Sequence, residues 1–319
     1  MKKICNGIIM VALVYICFAI LYDRESIFSS VKFSLDIWRN NIFPSLFPFF
    51  ILSSIMINYG FVEILGSLIG PIMNKLFKVS SKSAFIFVMS IFSGNPSNAK
   101  YIKELYQNKE IDEREATKIL CFSCFANPLF ILGTVSIFFL NNKKVGLIIL
   151  LCHYLGNIIV GLIIRNFYPC KDYKHITLKE SIHNKRKVKP FGIMITETIM
   201  GSLNTLLLIL GVMTMFLILT TIIDNVINIY PIYQSTLNGF IEMTQGLKYI
   251  SLENIPLKIK CTLSVIILSF GGLSVHMQIM SILSDTNIKY FPFFCARVMH
   301  AFISGILIYI IFDYWFLLF

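Results

Sequence analysis

The chain has 319 residues, of which 56% are hydrophobic and only 14% are charged, and its mean hydropathy is +0.74. A water-soluble domain needs a more polar surface, so this composition excludes a soluble protein and indicates an integral membrane protein. The net charge of +11 fits Lys and Arg in cytoplasmic loops, and no basic, aromatic-laced domain favours nucleic-acid binding.

The first apolar run covers residues 4–22, behind Lys2 and Lys3. It is longer than the apolar core of a typical signal peptide, and no small-residue cleavage site follows it. We therefore predict a retained first transmembrane helix with a cytoplasmic N-terminus. Residues 23–39 are predicted to form an external connector of mixed charge, and residues 42–57 a second span.

A re-entrant hairpin is predicted next. Residues 61–77 are apolar but carry Glu63 and Lys75, which favours a short or interfacial helix that does not span. The following apolar run, 84–92, is too short to cross a bilayer. It ends at Asn95-Pro96, a favourable N-cap and first helical residue. The two arms of the hairpin are predicted at residues 83–93 and 96–108.

The chain from Asp112 to the middle of the sequence is predicted to cross the membrane twice. Asp112, with Glu115 three residues later, is a capping-box variant that starts a helix. This helix is predicted to continue to Leu140 with a kink at Asn127-Pro128. Residues 145–164 form a second, clean span.

Residues 165–190 are rich in Lys and Arg, so this loop is predicted to be cytoplasmic and to divide the chain into two halves. Beyond it, residues 191–199 are expected to lie at the membrane surface. The remaining predictions are a span at 203–223, an external segment at 225–256, an apolar segment at 262–283 broken at Gly271-Gly272, and a last span at 293–312.

Two short apolar segments, each broken near glycine, occur in matching places of the two halves. Counting the crossings makes the first enter from the cytoplasm and the second from outside, which is typical of inverted-repeat transporters. The predicted fold class is an all-α polytopic membrane protein with two inverted repeats, each with a broken or re-entrant helical hairpin. The predicted domains are an N-terminal transmembrane helix and connector (1–34), a first repeat (35–165), a basic cytoplasmic loop (166–192) and a second repeat (193–319).

Polar groups in or beside the apolar segments are the candidate site, because such groups are costly in hydrocarbon and usually face a cavity or a partner. Free amides at the two helix breaks suit an anionic or carbonyl-bearing ligand. Glu242 and Arg297 could pair with each other or bind a polar solute. The predicted substrate-binding residues are Asn95, Pro96, Asn98, Asn127, Glu242, Gly271, Gly272, His276, Gln278 and Arg297.

Each of these residues also has a structural interpretation. Gly271-Gly272 can serve close helix packing, His276 can be a satisfied interior histidine, Arg297 can extend to the interface, and Glu242 can lie in solvent. No nucleophile elbow, phosphate-binding loop, dinucleotide fingerprint or zinc-binding helix occurs in the sequence. We therefore predict no catalytic residue, no metal site and no cofactor, and we do not expect an enzyme.

Four stretches in order, residues 41–50, 93–100, 128–133 and 269–278, resemble the YlbJ-type sporulation integral membrane proteins, which belong to the wider nucleoside-recognition (Gate) group. The resemblance covers roughly residues 35–315. It departs at Asn95 and Asn98, where the family has Tyr and Gly, and at Cys124-Phe125, where it has an Asn pair. It implies a bacterial membrane protein needed for endospore formation.

The resulting hypothesis is a transporter- or channel-like component for an unidentified small solute, which exposes a midplane site alternately to the two sides. The alternative is a non-transporting membrane scaffold for spore envelope assembly. We expect the protein in the mother-cell or forespore membrane, with its N-terminus and loop 165–190 cytoplasmic. Expected partners are the lipid bilayer and a small solute, with a second copy of the chain or other sporulation membrane proteins as further candidates, and no nucleic acid.

Overall fold

The computed structural model describes residues 2–169, 190–227 and 229–318, and all regular structure in these ranges is helical. The predicted all-α class is therefore confirmed. The helices are α1 (Lys2–Tyr22), α2 (Arg24–Ile37), α3 (Phe43–Asn58), α4 (Phe61–Phe77), α5 (Ser83–Ser93), α6 (Ser97–Gln107), α7 (Glu113–Phe122), α8 (Lys143–Ile163), α9 (Phe191–Val226), α10 (Pro231–Ile241), α11 (Met243–Leu252), α12 (Leu257–Phe270), α13 (Gly272–Ile282) and α14 (Tyr290–Leu318). Trp38–Ile42 and Phe130–Phe139 are π-helical, and Ile164–Asn166 is a short 3₁₀ turn.

Five helical stretches within the described ranges are long and apolar enough to cross a membrane. The protein is accordingly polytopic. These stretches are Arg24–Asn58, Lys143–Asn166, Phe191–Val226, Leu257–Ile282 and Tyr290–Leu317. The span predicted at 4–22 falls on α1, and several of its side chains lie outside the described part of the chain, so that span stays a prediction.

The connector predicted at residues 23–39 is wrong, because this segment is helical. The Asp23 carboxylate caps α2 by accepting a hydrogen bond from the backbone N–H of Ser26 at 3.3 Å, and the helix continues through the π-helical turn into α3. Some of its polar side chains pair with those of α9. The hydroxyls of Ser34 and Thr214, for example, lie 2.7 Å apart.

The kink predicted at Asn127-Pro128 is a full break. Helix α7 ends at Phe122, and residues 123–127 have no regular structure. The Asn127 side-chain oxygen then accepts the N–H of Leu129 at 2.7 Å, where the next helical segment begins. Proline removes a helical donor and disfavours the α conformation of the residue before it, so Asn127 is not helical and the next helical segment begins at Pro128.

One of two predictions for the second half is also wrong. Residues 191–199 belong to α9, one helix of 36 residues, and their place at the membrane surface stays a prediction. Residues 225–256 are not an external stretch; they contain a helical hairpin, α10–α11. Several of its polar residues form hydrogen bonds inside the protein. Asn238, for instance, donates to the carboxylate of Asp224 at 2.9 Å. When polar residues pair inside the protein in this way, the sequence of the segment is as polar as that of a solvated loop.

The same order of elements occurs twice. A helical hairpin, a broken helix and a long helix follow one another as α5–α6, α7 with Phe130–Phe139, and α8, and again as α10–α11, α12–α13, and α14. In this order Asn95-Pro96 corresponds to Glu242, since both form hairpin tips, and the break at 123–127 corresponds to Gly271. The sequence prediction matched Asn95-Pro96 with Gly271-Gly272, and the structure corrects that pairing.

Contacts between loops define one end of the helical bundle. An ion pair of 3.0 Å joins Lys82, just before α5, to Glu110, just after α6, so the first hairpin opens at this end. A second pair of 2.7 Å joins Lys103 of α6 to Asp285, which lies between α13 and α14. The hydrogen bond from Lys103 lowers the pKa of Asp285 below its usual value.

The other end of the bundle is defined in the same way. Lys258 pairs with Asp313 at 2.6 Å, and Lys260 donates to the carbonyl of Ser251 at 2.6 Å, so the hairpin α10–α11 opens here. Helix α14 runs about 43 Å from one end to the other. The inversion of one half relative to the other stays a prediction, which these opposite openings favour.

Candidate functional site

An interior cavity lies where the irregular points of the fold meet. Its lining comes from both hairpin tips, the break in the first half, and helices α3, α9 and α13. The centres of water-sized molecules can occupy ≈ 60 Å³ of it. By the same measure, a single water molecule needs about 10–15 Å³. The cavity is thus large enough for a few waters or a small polar group. The polar residues that line it are Asn41, Ser45, Asn95, Asn127, Glu242, Thr244 and Gln278.

The structure brings together half of the site residues predicted from the sequence. Asn95, Pro96, Asn127, Glu242 and Gln278 line the cavity. They come from three separate elements, namely the first hairpin tip with the nearby break, the second hairpin tip, and α13. The other predicted residues lie outside the cavity lining. They are Asn98, Gly271, Gly272, His276 and Arg297.

The first hairpin tip is fixed against the break that follows α7. The N–H of Asn95 donates to the carbonyl of Phe125 at 2.6 Å, and the Asn127 amide donates to the carbonyl of Ser93 at 3.0 Å. Gly94 has a φ of +78°, and a Cβ there would lie 2.5 Å from the backbone nitrogen of Asn127. Only glycine allows this approach, which sets Asn95 and Asn127 side by side.

The second hairpin tip consists of Glu242, which caps α11 and is 2% exposed. Its carboxylate accepts the N–H of Gln245 at 2.8 Å and faces the hydroxyl of Ser274 at 3.4 Å. The two arms behind it touch closely, because a Cβ on Gly246 would lie 2.1 Å from the Cα of Gly239. The close packing of the two arms and these hydrogen bonds therefore hold a carboxyl at the cavity.

Three predicted site residues outside the cavity lining are buried among other parts of the protein. They are Gly272, His276 and Asn98. A Cβ on Gly272 would meet the backbone nitrogen of Met243 at 2.9 Å, so α13 begins packed against the second tip. Both ring nitrogens of His276 are occupied, by the Tyr290 hydroxyl at 3.1 Å and the Phe270 carbonyl at 3.0 Å. Asn98 is buried, and its amide has no hydrogen-bond partner among the described residues.

Arg297 is 1% exposed and lies behind the break. It donates to the carbonyls of Cys121 and Cys124 and to the side-chain oxygen of Asn157, and it contacts His300. No carboxylate contacts it among the described residues, Glu242 included. Its surroundings are those of a group that orders the backbone, and the site role predicted for it stays a prediction.

Several residues of the cavity, and of the hydrogen-bond network around Arg297, were not predicted from the sequence. Asn41, Ser45 and Thr244 line the cavity, and each begins or interrupts an apolar stretch. His153 and Asn157 hold the break, and they lie four residues apart in the span at 145–164, hence on one helical face. Polar groups at that spacing inside a span are the signal that could have identified them.

The sequence predicted a site for an anionic or carbonyl-bearing ligand, and the charge of the cavity differs from that expectation. Its described lining contains the carboxyl of Glu242 and no Lys, Arg or His. Amides, hydroxyls and one carboxyl on an apolar wall suit a neutral or cationic hydrogen-bonding solute better than an anion. No group of three or more His, Cys, Asp or Glu side chains that could hold a metal ion occurs within the described ranges.

Comparison with known proteins finds two similarities. A family model described as "Gate: Nucleoside recognition" matches residues 41–143, which include the first hairpin and the first broken helix. The chain is also similar to the sporulation integral membrane protein YlbJ of Bacillus subtilis (strain 168). The identity is 30% over 339 residues, covering 97% of this chain and 83% of the relative. No solved structure matches.

Proposed function

Since the chain belongs to the family of YlbJ sporulation integral membrane proteins, we propose that it is a transport component of endospore formation. In this proposal it holds a small polar solute between its two hairpin tips and is not an enzyme. It resides in the mother-cell or forespore membrane.

One observation carries this proposal: a cavity lies where both hairpin tips and a helix break converge. Irregular backbone is tolerated at membrane depth only where protein covers it or where it lines a cavity. In many secondary transporters the substrate site lies near the midplane, between discontinuous helices of two repeats. The same combination occurs here, with Asn95, Asn127 and Glu242 in the lining of the cavity.

The arrangement supports a mechanism of alternating exposure. The first hairpin opens toward the end marked by Lys82 and Glu110, and the second toward the end marked by Lys258 and Asp313. Movement of one hairpin away from the cavity would expose the solute to one side while the other hairpin keeps the opposite side closed. Because both tips contribute polar groups, each movement also removes part of the solute's hydrogen bonding and favours release.

Spore yield after substitution of the tip residues tests the proposal. In the source bacterium, deletion of the gene is expected to lower the yield of heat-resistant spores at normal growth rate, and the wild-type gene restores it. The variants E242Q and N95A are expected not to restore it, although their abundance in the membrane is normal. The glutamine side chain in E242Q keeps an oxygen that can accept the N–H of Gln245, so the loss would come from the missing carboxyl group.

The matched controls are E253Q and N108A, which change the same residue types at the open ends of the two hairpins. Both are expected to restore spore yield. Full restoration by E242Q and by N95A would overturn the proposal that the tips bind a solute. Normal spores after deletion of the gene, with impaired growth on a nutrient, would instead indicate ordinary uptake or efflux.

A further inference from the structure

The guanidinium of Arg297 fills a small polar cage behind the cavity wall. It donates to the carbonyl of Cys124 at 2.9 Å and to the side-chain oxygen of Asn157 at 2.7 Å. It also donates to the carbonyl of Cys121, and the Nδ1 of His300 lies 2.9 Å away. The cage thus combines two backbone carbonyls from the end of a half-helix, one amide oxygen and one imidazole nitrogen.

The carbonyl and amide oxygens of this cage are of the type that binds a small monovalent cation. The C-terminal end of a helix carries partial negative charge on its unpaired carbonyls. In transporters with broken helices, unwound carbonyls and half-helix C-termini coordinate the coupling ion. Here α7 ends at Phe122, and the carbonyls on either side of its end point at Arg297. No carboxylate contacts Arg297 in the described part of the chain, so these dipoles balance its charge.

The hydrogen-bond pattern makes both neighbouring histidines neutral. His300 donates from Nε2 to the carbonyl of His153 at 2.7 Å, which leaves Nδ1 free to accept from Arg297. The Nε2 of His153 accepts the N–H of Ala126 at 2.8 Å, so its proton sits on Nδ1, facing the hydroxyl of Ser269 at 3.0 Å. Arg297 is therefore the one positive charge that this network of described residues holds.

We propose that Arg297 is a built-in cation, a covalently attached guanidinium in a cage that would otherwise take a free Na⁺ or K⁺. The half-helix end stays ordered without a dissolved cation. Because Ala126 and Asn127 belong to the same broken segment and line the cavity, the fixed charge also holds that wall in place. This role of Arg297 follows from the cage geometry and holds whether or not the cavity binds a solute.

Thermal unfolding of the purified full chain in detergent tests the proposal. The salts are NaCl, KCl and choline chloride at equal ionic strength, where choline is too large for the cage. The unfolding midpoint of the wild-type protein is expected to be the same in all three. The midpoint of R297A is expected to fall in choline and to rise again, with saturation, when Na⁺, K⁺ or millimolar guanidinium is added.

The matched control is R165A, which removes a partly buried arginine that also donates to a carbonyl, that of Lys75 at 2.8 Å. No cation-specific recovery is expected there. A wild-type midpoint that is higher in Na⁺ than in choline would show that the cage is not already filled. An R297A midpoint that responds to none of the small cations would show that the carbonyls do not bind one.

A second variant covers the case in which R297A does not fold. R297Q keeps part of the side-chain volume, and its midpoint is expected to show the same dependence on small cations. If neither variant yields folded protein, guanidinium added during extraction is expected to recover R297A. Failure of that recovery would overturn the proposal, as would a folded R297Q that is indifferent to Na⁺, K⁺ and guanidinium.

Discussion

At the scale of single residues, glycines set the geometry of the candidate site. Gly272 begins α13 with a φ of +67°, and a Cβ there would lie 2.9 Å from the backbone nitrogen of Met243 and 3.2 Å from the carbonyl of Gly239. These are backbone atoms of the second hairpin, which cannot rotate away as a side chain can. Gly272 therefore holds the start of α13 against the tip that carries Glu242.

Gly272→Ala is predicted to lower the free energy of unfolding more than Gly271→Ala. Both positions have positive φ, so both variants place a Cβ in a conformation that L-residues disfavour. A Cβ on Gly271, however, meets only the Val275 side chain at 3.5 Å, an ordinary contact. The steric clash at Gly272 should cost an additional amount of about 1–3 kcal/mol. Chemical denaturation of the purified protein measures the difference.

Gly211→Ala is the control for this comparison. Gly211 lies inside α9, and a Cβ there would have nothing within 4 Å. Alanine in a helix is favoured over glycine by about 0.5–1 kcal/mol, so G211A should leave stability unchanged or raise it slightly. Equal losses for G271A and G272A would contradict the contact between α13 and the second tip.

Local sequence rules mark some of the site residues and do not mark others, and the difference has a physical reason. Asn95 and Asn127 stand next to prolines, so the backbone rules that mark a helix start or break also mark them. Glu242 has no proline beside it, and its polarity alone does not distinguish a solvated loop from a buried cap. Gln278 follows the Gly271-Gly272 break closely in the sequence, and it lines the cavity.

At the scale of elements, a seam of hydroxyl pairs joins α2 to α9. Ser34 faces Thr214 at 2.7 Å, and Ser30 faces Thr221 at 2.6 Å. The members of each pair lie on opposite helices, and the two pairs follow one another along the seam. Helices in lipid gain little from the hydrophobic effect, so small hydroxyl residues that allow close approach and pair across the interface contribute to their association.

A double-mutant cycle on Ser34 and Thr214 is predicted to show direct coupling. S34A and T214V should each destabilise the protein, and the double variant should lose less than the sum, by about 0.6 kcal/mol. The control cycle combines S34A with T196V, an exposed α9 residue that bonds its own helix at Gly192. That combination should be additive. Additivity in both cycles would rule out the Ser34–Thr214 bond as a stabilising contact.

The two hairpins show how far elements can be predicted from this sequence. The first was expected at nearly its observed position, because Gly94, Asn95 and Pro96 interrupt an apolar run that is too short to span. The second was read as an external segment, since α10 and α11 contain polar residues at intervals and their tip lacks proline. The partner of Asn238, Asp224 at 2.9 Å, becomes visible only when the chain is folded.

At the scale of the whole molecule, the basic loop divides two halves with the same order of elements. The loop predicted at 165–190 lies mostly outside the described residues, which resume at residue 190. The order hairpin, broken helix, long helix occurs once before it and once after it. The domain boundaries 35–165 and 193–319 stay predictions. The transport proposal places the function in the two hairpins, whereas the scaffold alternative places it in the loop.

Replacement of residues 170–189 by a Gly/Ser linker of equal length separates these two hypotheses. The transport proposal predicts a normal yield of heat-resistant spores, because both hairpins and the cavity remain. Loss of the basic residues could also invert the protein in the membrane. The control is therefore a scrambled loop with the same Lys and Arg content. One outcome would contradict transport: the scrambled loop and the neutral linker both abolish spore formation while the protein stays abundant in the membrane. The loop sequence itself is then required, and a scaffold that recruits other envelope proteins explains the function better than transport.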